Sequence, residues 1–420
     1  MTGAHAQTRS VLVIGDGIVG LAAAIALRRA LPGAAVTLVE LPTDRGGWID
    51  RLGAATPVIH KFHRQIGLDP RLFARRAGAE AVHLRRYVAA DGTAVREAAT
   101  AAIPFVEGVA LHQIWLRHRA ETTDATPDFA AMLLALRDAR GDEGGFGARF
   151  DAAAYAALLG DMAATLNIVR RDAAGIRVET DGEAIHGIAT SAGETLTADL
   201  YIDAAGSRSR LLAALNVGWL DWSPSLPALT LAVAPGGAGA IGEEVLTAAS
   251  DALHWQTRPW SATIAAGGGP APGRLVQSWQ GNAVAIGEAA VRVPVVDGSL
   301  LGNAIEDILR VIALLPRPDG QGRDTREYVR RTAIAQDALG DWSSLCLAPD
   351  GTARSDILIA MLAAFDARGR IATAELDPIA PGQWLARLMA LRPPPRRIDP
   401  TALALSEDIV RTTIARAAPQ

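Results

Sequence analysis

The chain of 420 residues is 50% hydrophobic and 20% charged, with 41 glycines, 23 prolines and a net charge of −4. That balance belongs to a soluble globular protein of one large or two coupled domains, and it offers no basic surface for nucleic acid or an anionic membrane. A single cysteine, Cys346, excludes a disulfide framework and a cysteine zinc cluster and points to a reducing, cytoplasmic setting.

The first element is the apolar run "VLVIGDGIVGLAAAIAL" after Arg9. It is long enough for a leader's hydrophobic region. It holds an aspartate and three regularly spaced glycines, however, and no small-residue cleavage site follows, so it is read as folded structure. Ser10 to Gly15 predicts a strand, and the run from Val19 predicts a helix that Pro32-Gly33 breaks. "AAVTLVE" predicts a second strand ending in Glu40. This is a β-α-β unit with Gly15-x-Gly17-x-x-Gly20 at its turn. The first glycine permits the turn, the second lets a pyrophosphate approach the backbone, and the third lets helix pack on strand. The helix start, at Ile18 and Val19, presents N–H groups to phosphate, and Glu40 is placed to accept from a ribose hydroxyl.

Next comes "TPVIHKFHR", which carries the only lysine, Lys61, between His60 and His63. "LHQIWLRH" repeats His112, Trp115 and His118 at helical spacing and reads as a helix face. Thr197 to Leu215 predicts a strand running into Asp203, a small-residue turn with Gly206, and a helix. Nine tryptophans against seven phenylalanines is an unusual ratio. Trp219, Trp222, Trp255 and Trp260 are the candidates to line an aromatic-compatible pocket. "GNAVAIGEAAVRVPVVDGSLLGNAIEDILRVIALLP" predicts a strand, a Gly287-Glu288 turn, Pro294, a helix entry at Asp297-Gly298, and an amphipathic helix ending at Pro316. "PRPDGQGRD" (316 to 324) is the clearest linker. No run approaches the roughly 18 apolar residues of a membrane helix.

In this order the segments resemble the flavin-dependent tryptophan halogenase family. Arg51 to Val88 is similar to that family's loop and helix pair after the first unit. "GFGARFDAAAYAALLGDMA" is similar to its segment before the second nucleotide strand, and "WQGNAVAIGEAA" to its lead into the last flavin strand. The resemblance implies a mixed α/β fold of the flavin-monooxygenase type, with a Rossmann-like FAD-binding domain. It implies that this domain is discontinuous, over about 1–90, 145–215 and 280–316. A β-rich substrate module would take 91–144 and 216–279, and a helical region 317–420. The expected FAD-binding set is Gly15, Gly17, Ile18, Val19, Gly20, Glu40, Thr56, Asp203, Gly206, Gly287, Glu288, Pro294, Asp297 and Gly298. Many FAD-binding oxidoreductases have an aspartate where Glu288 stands, bonded to the ribityl chain.

The chain departs from the family at its specific marks. The loop reads Gly53-Ala54-Ala55-Thr56-Pro57, without the family's glutamate. Val82 stands at about the position of the catalytic lysine, and Val296 at about that of a second glutamate. The tryptophan-x-tryptophan-x-isoleucine-proline stretch is absent, "HWQTRPW" being nearest. The expectation is therefore an FAD-dependent oxidoreductase that uses reduced flavin and oxygen on a small or peptide-borne aromatic, indole-like or phenolic. With one dinucleotide fingerprint, reduced flavin would come from a separate reductase. The alternatives are a true halogenase with Lys61 as catalytic amine, and an inactive FAD-binding scaffold.

Overall fold

The structure is a computed structural model that describes residues 8–41, 47–98, 102–122, 126–140, 147–206, 209–315, 322–348 and 352–418. Strand β1 (Ser10–Ile14), helix α1 (Ile18–Ala30) and strand β2 (Ala35–Glu40) form the first unit as the pattern predicts. β1 pairs in parallel with β2 on one side and with Leu200–Asp203 on the other. The sheet runs on through Ala283–Ala285 to the antiparallel edge Trp279–Gln280, with Val169–Asp172 at its far side. β1 is apolar at successive positions because both its faces are covered. Val11 and Val13 point into the large core, whereas Leu12 and Ile14 pack with Tyr201 and Leu211 on the other face.

α1 is buried from Ile18 to Leu27. Its alanines let it lie between the sheet and the helices Ala152–Thr165 and Ser299–Ala313. Helix Arg323–Leu347 packs against Ser299–Ala313, and helix Pro381–Leu391 against the strand Ala94–Ala98. Of the predicted linker, 316 to 324, residues 316–321 lie outside the described residues, and Arg323 and Asp324 already belong to the helix Arg323–Leu347. No helix among them is long and apolar enough to cross a membrane.

A second six-stranded sheet has the order Leu229–Pro235, Trp260–Ala266, Ala252–Gln256, Glu243–Ala248, Leu84–Val88, Ala94–Ala98. It differs from the sequence reading in taking Leu84–Val88 from ahead of residue 90. The span after it is not all β-rich either, because Leu111–Glu121 and Phe129–Arg140 are helices.

Charge lies in the core of this sheet. Glu244, Glu97, Arg85, Arg149 and Arg387 are each at most 2% exposed. Glu244 accepts from Arg85 Nε at 2.7 Å, Arg149 Nε at 2.9 Å and Trp255 Nε1 at 2.8 Å. Glu97 accepts from Arg387 at 2.8 Å, and Arg387 lies 3.8 Å over the Tyr87 ring. Burial opposes the Glu244 charge, but Arg149 and Arg85 outweigh it and hold the carboxyl below its usual range.

Breaking such a pair strands the remaining charge out of water, at about 3–5 kcal/mol. Glu244→Gln is therefore expected to lower stability by that amount in urea denaturation at pH 7. A loss under about 1 kcal/mol, the size of an exposed pair, would show that water reaches the network.

Candidate functional site

The glycine turn forms the cradle its spacing predicts. Gly15 has φ +123°, and a Cβ there would stand 2.6 Å from the Ala204 carbonyl oxygen. A Cβ on Gly20 would meet the Gly15 carbonyl oxygen at 2.1 Å, so helix and turn touch. Gly17, at the N-cap of α1, gives the first N–H groups no side-chain cap. Such an end attracts an anion.

In this structure the anion is a side chain of the same molecule. Ile18 N–H donates to the Asp50 carboxylate at 2.7 Å. A Cβ on Gly17 would lie 2.2 Å from Asp50 Oδ2, so the carboxylate rests on the glycine face kept open for pyrophosphate. Asp50 belongs to a turn in which the Arg51 and Leu52 N–H groups return to the Trp48 carbonyl. Trp48, Ile49 and Leu52 are buried.

The same turn satisfies Glu288. Its carboxylate accepts from Trp48 N–H at 2.8 and 2.9 Å and from Ile49 N–H at 3.0 Å. Burial pushes its pKa up to about 7, and the nearby Asp50 charge adds to the rise. The two N–H donors and Arg292 pull the other way. Behind the turn Asp307 is also buried, and burial raises its pKa to about 7 against Arg310 and the Gly287 N–H.

Space decides what the site holds as folded. The cavity bounded by Trp48, Ile49, Leu52, Ala54, Val295, Asp297, Leu300 and Leu301 has about 10 Å³. That is room for one water at most. Thr56 N–H donates to the Gly298 carbonyl at 3.2 Å, and a Cβ on Gly298 would strike the Ala55 backbone at 2.2 Å. The Asp297 carboxylate is buried and accepts from Ser299 N–H at 2.8 Å and Trp342 Nε1 at 2.7 Å. The Pro294 carbonyl accepts from Ser343 Oγ. The cradle suits a dinucleotide, and the Asp50 carboxylate on Gly17 and the Ile18 N–H stands where its pyrophosphate would lie.

The other expected residues are placed as follows. Glu40 is paired with Arg170 of the neighbouring strand, Nε donating at 2.7 Å. Asp203 is buried and accepts from Ala205 N–H, Ser209 Oγ and Leu211 N–H, so its carboxylate organises its own turn and caps the following helix. Gly206 lies in that turn with φ +92°. Val82 and Val296 have no exposed surface. Lys61, the candidate amine, lies away from the glycine cradle. It is exposed on helix α2 (Val58–Ile66), whose inward face carries Ile59, Phe62, His63 and Ile66. It lines an outer groove of about 520 Å³ beside Ala26, Arg29 and Ala30. Ala26 is eight residues along α1 from Ile18, about 12 Å at the helical rise.

His63 donates to or accepts from the Tyr155 hydroxyl at 2.9 Å, and burial drives its pKa down to about 3. His112 meets the Gly369 carbonyl at 2.8 Å, fastening one helix to the end of another. Trp255 and Trp260 stack edge to face at 4.8 Å within the core. Trp222 lines a cavity of about 260 Å³ with Asp337, Asp341 and Arg354. The sequence reading did not single out Asp50, Trp48 or Ile49. The available signal was an apolar pair followed by an acid, "WID", inside the loop after β2.

The family model for tryptophan halogenase matches residues 10–256. A comparison with the curated proteins found no match by sequence. Among solved structures the chain is similar to BrvH, a flavin-dependent halogenase from Brevundimonas sp. BAL3, with TM-score 0.85 and 20% identity over 98% of this chain and 95% of that one. It is similar to Xcc4156, a flavin-dependent halogenase from Xanthomonas campestris, with TM-score 0.82 and 20% identity over 98% and 95%. The tryptophan 6-halogenase SttH from Streptomyces toxytricini gives TM-score 0.82 and 18% identity over 97% and 96%. At such identities the structural likeness speaks for the fold.

The Glu288 carboxyl has a measurable consequence. Its pKa is raised from the ordinary 4.5 to about 7 by folding, so its contribution to stability is whole below pH 4.5 and is lost as the pH rises through 7. The shift corresponds to about 3 kcal/mol. Glu288→Gln is expected to flatten the fall in stability between pH 4.5 and 8 by that amount, read from urea denaturation across the range. An unchanged slope would mean that Glu288 ionises in the folded chain as it does in water.

Proposed function

The chain belongs to the tryptophan halogenase family, and we propose that it is an FAD-dependent oxidoreductase of that family whose reaction is not halogenation. One observation carries the reading. The positions where the resemblance expects the lysine and the second glutamate hold Val82 and Val296, both fully buried. Neither side chain holds a proton, a charge or a hydrogen-bond donor.

FAD is the family's cofactor. The residues that would hold it are Gly15, Gly17 and Gly20 with the α1 N-terminus, Glu40 toward the ribose, and the Gly287-Glu288 turn toward the ribityl chain. Bound and reduced by a separate reductase, FAD supplies electrons for an oxygen-dependent oxidation, and the substrate class proposed is a small or peptide-borne aromatic. Asp297 argues against a halide beside the last flavin helix. Two like charges 4 Å apart repel by about 4 kcal/mol in a partly dry site. The exposed position of Lys61 on α2 also speaks against halogenation. A binding or scaffold role without redox chemistry is the second reading, and the Asp50 carboxylate on the α1 N-terminus favours it.

The test is mass spectrometry after incubation with FAD, a flavin reductase, NADH, bromide and tryptophan or indole. No brominated product is expected. A product that disappears in Lys61→Ala would overturn the proposal and make Lys61 the catalytic amine, and one that persists in Lys61→Ala would overturn it without the lysine. Flavin reduced on the protein anaerobically and then exposed to air separates an oxidoreductase, which turns it over, from a scaffold, which does not.

A further inference from the structure

We infer that the segment from Gly47 to Leu52 is an intramolecular occupant of the dinucleotide seat, with Asp50 in the place of pyrophosphate, and that FAD binds only by displacing it. This rests on the reading of FAD as the cofactor and concerns what the chain itself does to that site.

Three observations converge on this short segment. Asp50 takes the Ile18 N–H at 2.7 Å, the donor a pyrophosphate would need, and sits against Gly17. The backbone of Trp48 and Ile49 takes both oxygens of Glu288, the carboxylate expected to face the ribityl chain. The side chains of Trp48, Ile49 and Leu52 fill the space at the start of the Ser299–Ala313 helix, leaving about 10 Å³. Phosphate end, ribityl anchor and interior are thus engaged together. A pyrophosphate and the Asp50 carboxylate exclude one another twice over, because one N–H cannot serve both and their charges repel.

FAD replaces the segment's polar contacts in kind: phosphate for Asp50 on Ile18, and a ribityl hydroxyl for the Trp48 and Ile49 N–H groups on Glu288. The buried side chains of Trp48, Ile49 and Leu52 and the hydrogen bond from Arg51 to the Leu231 carbonyl oppose its departure. The apparent affinity for FAD is then the intrinsic affinity reduced by the fraction of molecules with the segment out.

Two measurements test this on the full chain. FAD affinity is read by quenching of flavin fluorescence, and Asp50→Ala is expected to bind at least about tenfold more tightly than the wild type, the scale of one hydrogen bond to a charged group. Asp50→Asn keeps an acceptor for Ile18 and loses the charge. It is expected to change affinity in the same direction by less, and it stands in if the alanine variant does not fold. Amide hydrogen exchange is read alongside. Ile18, Trp48 and Ile49 are expected to be protected in the FAD-free wild type, and Trp48 and Ile49 to lose protection when FAD saturates it. Equal FAD affinity in wild type and variants, or protection of Trp48 and Ile49 unchanged by bound FAD, overturns the inference and leaves the FAD reading standing. Free exchange of the three amides in the FAD-free wild type overturns it likewise. Absence of FAD binding in every protein, with the three amides protected in the wild type and released in Asp50→Ala, overturns the FAD reading and makes the segment a permanent filling.

Discussion

The N-terminus of α1 has to meet negative charge. Its first N–H groups are buried beside Gly17, and the fold brings no side chain of α1 itself to cap them. The 2.7 Å hydrogen bond from Ile18 to Asp50 answers that requirement. Much of the site follows from it. With Asp50 fixed on the helix end, Trp48 and Ile49 come within reach of Glu288. The three apolar side chains of the segment then close the space beneath Leu300 and Leu301. Glu288 bears the cost, since it is buried close to a second carboxylate, and its raised pKa records this.

The opposite side of the molecule is tied by a different balance. Glu244 and Glu97 bring together strands from both parts of the chain and the Pro381–Leu391 helix through three buried arginines. Asp297, at the entry to the Ser299–Ala313 helix, lies close enough for its charge to act on Arg85. Removing any one partner leaves the others uncompensated in a dry interior. The network therefore joins the second sheet to the region of the last flavin turn. Charge is concentrated here, whereas Val82 and Val296 are wholly apolar.

A fold of this family can persist while its reaction changes. The sheet order, the glycine cradle and the helix dipole are properties of the scaffold, and chemistry depends on a few side chains placed upon it. Here the scaffold is kept along nearly the whole chain, with a TM-score of 0.85 at 20% identity. On the reading proposed above, valines stand where the family's lysine and glutamate are expected. The loop after β2 offers the Asp50 carboxylate to the start of α1.

The β-α-β unit was legible in the sequence because its signals are local. An apolar strand, three glycines at fixed spacing, an alanine-rich helix broken by Pro32-Gly33 and a strand ending in Glu40 each have their meaning within a few residues. The family likewise followed from segments in order along the chain. The partners of the acids were not legible. Glu288 meets Trp48, 240 positions away, and Glu244 joins Arg85 and Arg149 at separations of 159 and 95. Asp203 reads as a cofactor acid by position, yet its bonds stay within its own turn. Lys61 reads as the one amine for a pocket, yet helical phase turns it outward, because the four buried residues of α2 already define the inward face. Sequence alone determined the scaffold and the cradle, which depend on backbone geometry and local spacing. Only the tertiary structure decided what fills the cradle, because a carboxylate 32 residues from Ile18 can compete for that N–H only once the chain has folded it there.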